Sequence, residues 1–181
     1  DWSSDVCSSD LLGGLSAFRS YLCDFVDVVS DDVGIRTDLL RETLETLKEN
    51  GKRAKILYLI PNFHNPTGVT TSEKRRKEII KLANEYDLVV IEDNPYGELR
   101  YEGEHLKAIK SYDTEGRVIY LGTFSKILAP GFRIAWTVAH GDLMKKMVIA
   151  KQAVDLHTNT FGQRIACIYC NNYLEKHLVK I

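Results

Sequence analysis

Five short apolar runs rich in β-branched residues punctuate the chain at residues 24–29, 55–60, 88–92, 118–122 and 134–139. Runs of this length bounded by polar turns predict buried strands. Helical periods lie between them. Leu40, Leu44 and Leu47 share one face of a helix predicted to open near Thr37 and stop at Gly51, since a glycine there can take the left-handed conformation that ends a helix. A second helix is predicted after Thr70-Thr71-Ser72-Glu73, a capping-box spacing, with Ile79, Leu82, Ala83 and Tyr86 on its buried side. A third, after Gly141-Asp142, places Leu143, Met147, Ala150 and Val154 together, and a fourth runs from about Phe161 to the end. Strand–helix alternation of this kind predicts one α/β unit, a mainly parallel sheet with helices on both faces. One connection departs from the pattern. Only eleven residues, 123–133, separate the fourth run from the fifth, fewer than a parallel crossover usually takes. If those two strands are neighbours, they run antiparallel.

The first eleven residues, DWSSDVCSSDL, carry two Ser-Ser-Asp repeats and neither period. They resemble translated sequencing-adapter read-through, so residues 1–11 are read as non-native and 12–181 as the domain. Ile181 closes the sequence without a helix stop signal, and the domain reads as truncated at both ends. Composition narrows the partners. A chain of 181 residues, 44% hydrophobic and 27% charged, suits a globular protein with one core. Its formal net charge of −1 provides no basic field for nucleic acid or an anionic membrane. No apolar run approaches the roughly 20 residues of a membrane span, and the opening residues lack the basic-then-apolar order of a signal peptide. Cysteines at 7, 23, 167 and 170 make no disulfide framework. The expectation is a cytoplasmic protein that binds neither nucleic acid nor membrane.

In open α/β sheets, ligands bind beyond the carboxyl ends of the strands, and three polar clusters fall there. Pro61-Asn62-Phe63-His64-Asn65-Pro66-Thr67-Gly68 follows the second run and Asp93-Asn94-Pro95-Tyr96-Gly97 the third. Thr123-Phe124-Ser125-Lys126 and then Ala129-Pro130-Gly131-Phe132-Arg133 follow the fourth. Each residue alone has an ordinary explanation: Asn65 to Gly68 is a turn, Asp93 can start an Asx-turn, Arg133 can pair with a surface acid, and lysines are mostly solvated. Their fall at successive strand ends, where one ligand meets them all, is what singles them out.

The set suits a phosphorylated, electron-withdrawing aldehyde cofactor. Lys126 is the amine that would form a Schiff base, and Asp93 the acid that would keep a heterocyclic nitrogen protonated. Tyr96 and Asn65 suit the ring hydroxyl. Thr123, Ser125 and Arg133 supply hydroxyls and a guanidinium for a phosphate.

The strings HNPTG, DNPYG and TFSK-ILAPGFR resemble the signature of fold-type-I, class I/II aminotransferases, which depend on pyridoxal 5'-phosphate. The subgroup acting on aromatic amino acids or 2-aminoadipate is the most similar. The resemblance runs from Leu12 to the end and includes Gly14-Leu15-Ser16-Ala17-Phe18-Arg19 and Asp155-Leu156-His157-Thr158. Three ordered motifs with compatible gaps are far more specific than any one. The resemblance implies the central part of the large, cofactor-binding domain of such an enzyme. Lys126 would carry the cofactor and shuttle the substrate α-proton, and Asp93 would pair with the pyridine nitrogen. Tyr96 and Asn65 would contact the ring hydroxyl, Asn65 also a substrate carboxylate, and Thr123, Ser125 and Arg133 would hold the phosphate. It further implies a cis Asn65-Pro66 peptide, a homodimer, and an amino acid and a 2-oxo acid as substrates. Alternatives on the same frame are other chemistry of the cofactor, such as C–S β-lyase, and the effector-sensing domain of an aminotransferase-like transcription regulator. The family's upstream phosphate-binding helix terminus, its ring-stacking aromatic (just before Leu12) and its carboxylate-binding arginine are absent from the sequence. The chain alone is therefore expected to be inactive. Position 123 is threonine where the family often has serine, which keeps a hydroxyl.

Other signals are weaker. Cys167-Ile168-Tyr169-Cys170 matches CxxC in an apolar helical stretch without a second pair, so buried packing cysteines are expected rather than zinc ligands; no metal site is expected. His64 is expected to be a solvated turn residue, and His157 carries little weight. Lys74-Arg75-Arg76-Lys77 is expected as the exposed opening of a helix.

Overall fold

The computed structural model describes residues 18–181, and residues 5–7 by their backbone. Among these, eight strands and five α-helices follow in order. The strands are β1 (Asp5–Cys7), β2 (Phe25–Asp27), β3 (Ser30–Asp31), β4 (Gly34–Ile35), β5 (Ile56–Leu59), β6 (Val89–Asp93), β7 (Val118–Thr123) and β8 (Ala135–Val138). The helices are α1 (Thr37–Glu49), α2 (Glu73–Tyr86), α3 (Gly141–Asp155), α4 (Thr160–Asn172) and α5 (Leu174–Leu178). One sheet has the order β2-β1-β5-β6-β7-β8. It is parallel throughout except at β8, which pairs antiparallel with β7, as the short 123–133 connection requires.

The alternation of a strand divides its residues between two faces. Leu57 and Leu59 of β5, Val90 of β6 and Val118 of β7 face α1 and α2, where Leu40, Leu44, Ile79, Leu82 and Ala83 complete the main core. The opposite face carries a smaller cluster, Tyr58 and Ile60 with Phe18, Phe25, Ile91 and Tyr96 packed against them.

Several expectations need correction. Residues 1–11 carry neither period and were left out of the predicted strands, yet Asp5–Cys7 forms β1 between β2 and β5. Ladder hydrogen bonds join backbones, so extended residues suffice and a side-chain period is not needed. The run at 24–29 holds only the short β2, and a small antiparallel hairpin of β3 and β4 follows it. The helix expected from Phe161 onward ends at Asn172 and resumes at Leu174. The capping box is not formed, because Ser72 makes no side-chain cap bond to α2. The α3 face of Leu143, Met147, Ala150 and Val154 is not buried: α3 has no buried residue, and Val154 is 82% exposed. Leu143 and Met147 are half-covered, whereas Ala150 and Val154 are exposed. Helix α2 does bury its predicted face, but one of its supposedly solvated residues, Arg76, is fully buried.

No helix among the described residues is long and apolar enough to cross a membrane. Leu57 is inaccessible at the centre of the main core, and truncating it leaves a cavity that rigid strands cannot close. We expect Leu57→Ala to cost about 2–5 kcal/mol, read as a lower midpoint of urea unfolding at unchanged slope.

Candidate active site

Three loops meet at the carboxyl ends of β5, β6 and β7. After β5 the chain passes through buried Pro61 and Asn62 into a loop closed by the His64 N–H on the Val69 carbonyl, 2.9 Å away. The Asn65–Pro66 peptide in this loop is cis. Asn65 lies exposed at the tip, and among the described residues its side chain makes no hydrogen bond. His64 is half-buried rather than solvated, with Nδ1 3.0 Å from Thr67 Oγ1.

The end of β6 puts three consecutive polar residues into three environments. Glu92 points to the main core, is fully buried, and accepts hydrogen bonds from the N–H groups of Ile109 and Lys110, both at 2.8 Å. Asp93 points to the opposite face, where its Oδ2 accepts the Tyr58 hydroxyl at 2.5 Å. Asn94 turns back toward the Glu92 side. Its Oδ1 accepts from Asn62 Nδ2 (2.7 Å) and its Nδ2 donates to the Tyr120 hydroxyl (2.9 Å). Gly97 follows, and a Cβ there would overlap the Asn94 amide, so glycine is needed for the turn to pack. Burial raises the Asp93 carboxyl above the ordinary aspartate range, opposed by the Tyr58 hydrogen bond.

Strand β7 ends at Thr123, whose hydroxyl lies 3.0 Å from Ser125 Oγ and accepts the Ser125 N–H at 3.1 Å. Residues Ser125 to Leu128 turn sharply, held by the N–H groups of Leu128 and Ala129 on the Phe124 carbonyl. Lys126 is exposed on this turn, with its ammonium 5.8 Å from the Tyr96 ring centroid. Arg133 takes a left-handed conformation (φ 51°) before β8 and is exposed. Its hydrogen bond is a long one, 3.5 Å to the Pro130 carbonyl.

The structure thus brings Lys126 to Tyr96, Thr123 to Ser125, and Asp93 to the strand beside Thr123, through the Asp93–Leu121 register of β6 and β7. Asn65 and Arg133 stand at the rim without contacts to the others. Three residues escaped the sequence reading. Tyr58 is the lone phenol in an aliphatic strand, and a buried hydroxyl needs a partner, which was the available signal. Asn62 and Arg76 form the support behind the loops. The Arg76 guanidinium donates to Thr71 O (2.8 Å), Lys107 O (3.0 Å), Pro61 O (3.2 Å) and Asn62 Oδ1 (2.6 Å). The helical period was the available signal, because Arg75 and Arg76 fall four and three residues before Ile79 on the buried stripe, whereas Lys74 and Lys77 fall on the opposite side. Arg75 is also largely covered, paired with Asp31 at 2.5 Å. The cysteines expected to pack a helix are free, with Cys167 exposed and Cys170 half-buried.

The model of the family described as aminotransferase class I and II matches residues 16–180. The chain belongs to that family. It is 57% identical over 171 residues to aromatic-amino-acid aminotransferase 1 of Thermococcus litoralis, covering 94% of this chain and 41% of that protein. It is 40% identical over 157 residues to the 2-aminoadipate transaminase of Thermus thermophilus, covering 85% and 38%. The crystal structure of Pyrococcus horikoshii kynurenine aminotransferase, solved in complex with PMP, superimposes with a TM-score of 0.94 at 50% identity, covering 98% of this chain and 45% of that one. The fold is that of the fold-type-I aminotransferases, and the chain spans about two-fifths of the length of the curated relatives it matches. The position expected for a ring-stacking aromatic, just before Leu12, and the motif residues 14–17 lie outside the described residues.

The Asp93 environment has a stability consequence. Its folded carboxyl titrates above its unfolded value, so its stabilising contribution is present below the unfolded range and lost as pH rises through the folded value. At neutral pH the ionised carboxylate therefore costs stability in the cofactor-free protein. We expect Asp93→Asn to raise the Tm of the cofactor-free protein at pH 7.5, with the gain shrinking as the pH falls through the raised folded value and gone once it lies below the ordinary aspartate range. Thermal unfolding across that range measures it.

Proposed function

We propose that the whole protein transfers an amino group between an amino acid, aromatic or 2-aminoadipate-like, and a 2-oxo acid, using pyridoxal 5'-phosphate. The observation that carries this reading is the convergence of the Lys126 amine, the Tyr96 phenol and the partly buried Asp93 carboxylate on one sheet rim. The donor set fits the group. A free amine, a carboxylate whose second oxygen remains available, and a pair of adjacent hydroxyls match its aldehyde, its ring nitrogen and its phosphate. When bound, the cofactor supplies an aldehyde that condenses with amines and a ring that withdraws electrons from the adjacent carbon.

This chain's residues divide the rest. Lys126, exposed on its turn, would hold the cofactor through its aldehyde with loss of water, and once the substrate amine had displaced it, the freed lysine amine would take the substrate α-proton and return it to the cofactor carbon. Asp93 holds a proton on the ring nitrogen, which keeps the ring electron-poor. Tyr96 and Asn65 hydrogen-bond the ring hydroxyl. The Thr123 and Ser125 hydroxyls bind the phosphate, with Arg133 supplying a positive charge. The exposed apolar side chains of β8, α3 and α4 (Trp136, Val138, Ile149, Val154 and Phe161 among them) support burial against further protein, as in a homodimer. The Ser-Ser-Asp repeats support residues 1–11 as non-native and 12–181 as part of the cofactor-binding domain.

In the whole protein, Lys126→Ala is expected to abolish turnover while cofactor still binds through the phosphate contacts. Turnover at saturating cofactor, paired with a binding titration, tests it; substantial residual transamination sinks the assignment. Asp93→Asn is expected to slow turnover by about two to four orders of magnitude. Breaking a buried ion pair costs about 3–5 kcal/mol, at roughly 1.4 kcal/mol per tenfold in rate. A kcat within tenfold of wild type would show that Asp93 does not hold the ring nitrogen.

A further inference from the structure

We propose that Tyr58 is a positioning residue for Asp93, its hydroxyl fixing Oδ2 so that Oδ1 is the oxygen left to face the cofactor's ring nitrogen. This rests on the reading that Asp93 holds that nitrogen.

The register explains why a tyrosine is needed. In the parallel pair of β5 and β6, Tyr58 lies opposite Ile91, so Asp93 is its diagonal neighbour two residues on, on the same face. Diagonal neighbours stand about 7–8 Å apart, beyond short side chains but within reach of an aromatic one. The phenol spans that gap and ends 2.5 Å from Asp93 Oδ2. Its ring is 5% exposed and meets Phe18 edge-on, with centroids 6.2 Å apart at 71°, and it packs in one cluster with Ile60, Ile91, Phe25 and Tyr96. A ring so enclosed holds its hydroxyl in one place.

An aspartate carboxyl otherwise rotates in a broad terminal well, and a rotating carboxylate presents either oxygen or neither to a flat ring. Fixing one oxygen fixes the plane of the other. The same bond favours the ionised form in a site where burial opposes it, and only the ionised form can pair with a protonated ring nitrogen. Shape filling alone does not require the hydroxyl, because phenylalanine would pack the same space.

The test is Tyr58→Phe, which keeps the ring and deletes the hydroxyl. In the cofactor-free protein, the titration midpoint of the Asp93 carboxyl, followed by carbon-detected NMR, is expected to rise. In the loaded whole enzyme, kcat is expected to fall about ten- to a hundredfold with KM little changed, the range for a hydrogen bond to a charged group. Incorporating 3-fluorotyrosine at position 58 keeps the shape and makes the phenol a stronger donor, so the midpoint is expected to move down instead. This second protein gives the answer even where Tyr58→Phe folds poorly. A midpoint that ignores both changes, or a kcat unchanged by Tyr58→Phe while Asp93→Asn is impaired, overturns the role of Tyr58 alone. An Asp93→Asn enzyme as active as wild type removes the reading of Asp93, and this inference with it.

Discussion

A guanidinium shut away from water needs acceptors for its N–H groups, and Arg76 finds them in three separate segments of chain. From the second turn of α2 it reaches the carbonyls of Pro61, Thr71 and Lys107 and the amide oxygen of Asn62. Leaving such a group unpaired in the interior is among the most unfavourable events in a fold, so the loops must come to it. The loop after β5, the lead into α2 and the approach to the 3-10 turn at Ile109–Tyr112 are thereby held at one end of the sheet. Asn62 passes the constraint on to Asn94, and Asn94 to Tyr120 of β7. The strand ends that carry the candidate chemistry are thus tied together from behind.

The end of β6 shows how a period of two separates support from chemistry. Glu92 and Asn94 face the supporting network, and Asp93 between them faces the other side of the sheet. Both carboxyls are raised by burial, but their surroundings differ. Glu92 holds two backbone N–H groups and acts as an anchor, whereas Asp93 has one oxygen on Tyr58 and one remaining. The register of the ladder decides this division, because a slip of one residue would exchange the two carboxylates.

The β7–β8 connection adds the amine. Eleven residues must reverse the chain here, and the turn at Ser125–Leu128 places Lys126 outward beside Tyr96 while the Thr123 and Ser125 hydroxyls stay together beneath it. Gly122, opposite Trp136 in the ladder, leaves room for the indole, which any Cβ at that position would meet. The tight reversal and the open glycine together keep the amine near the strand ends.

Hydrophobic period and motif spacing were enough to determine the central strands, the first two helices, the antiparallel last strand, and the loops on which Lys126, Asp93, Tyr96, Thr123 and Ser125 sit. Those features are local: a strand's alternation, a helix's stripe and a connection's length are all written in adjacent residues. The helical period puts Arg75 and Arg76 of the basic run on the stripe of Ile79 and Ala83, but the acceptors that Arg76 meets there are not local. Tyr58 and Asn62 likewise acquire their meaning only through strands and loops 32 to 35 residues away in sequence. The exposure of α3 was invisible for the same reason, since an apolar stripe shows what a helix can bury and not whether a partner layer lies against it. Local pattern determined the elements and the identity of the reactive groups. Long-range pairing across the sheet decided which buried polar residues hold them in place.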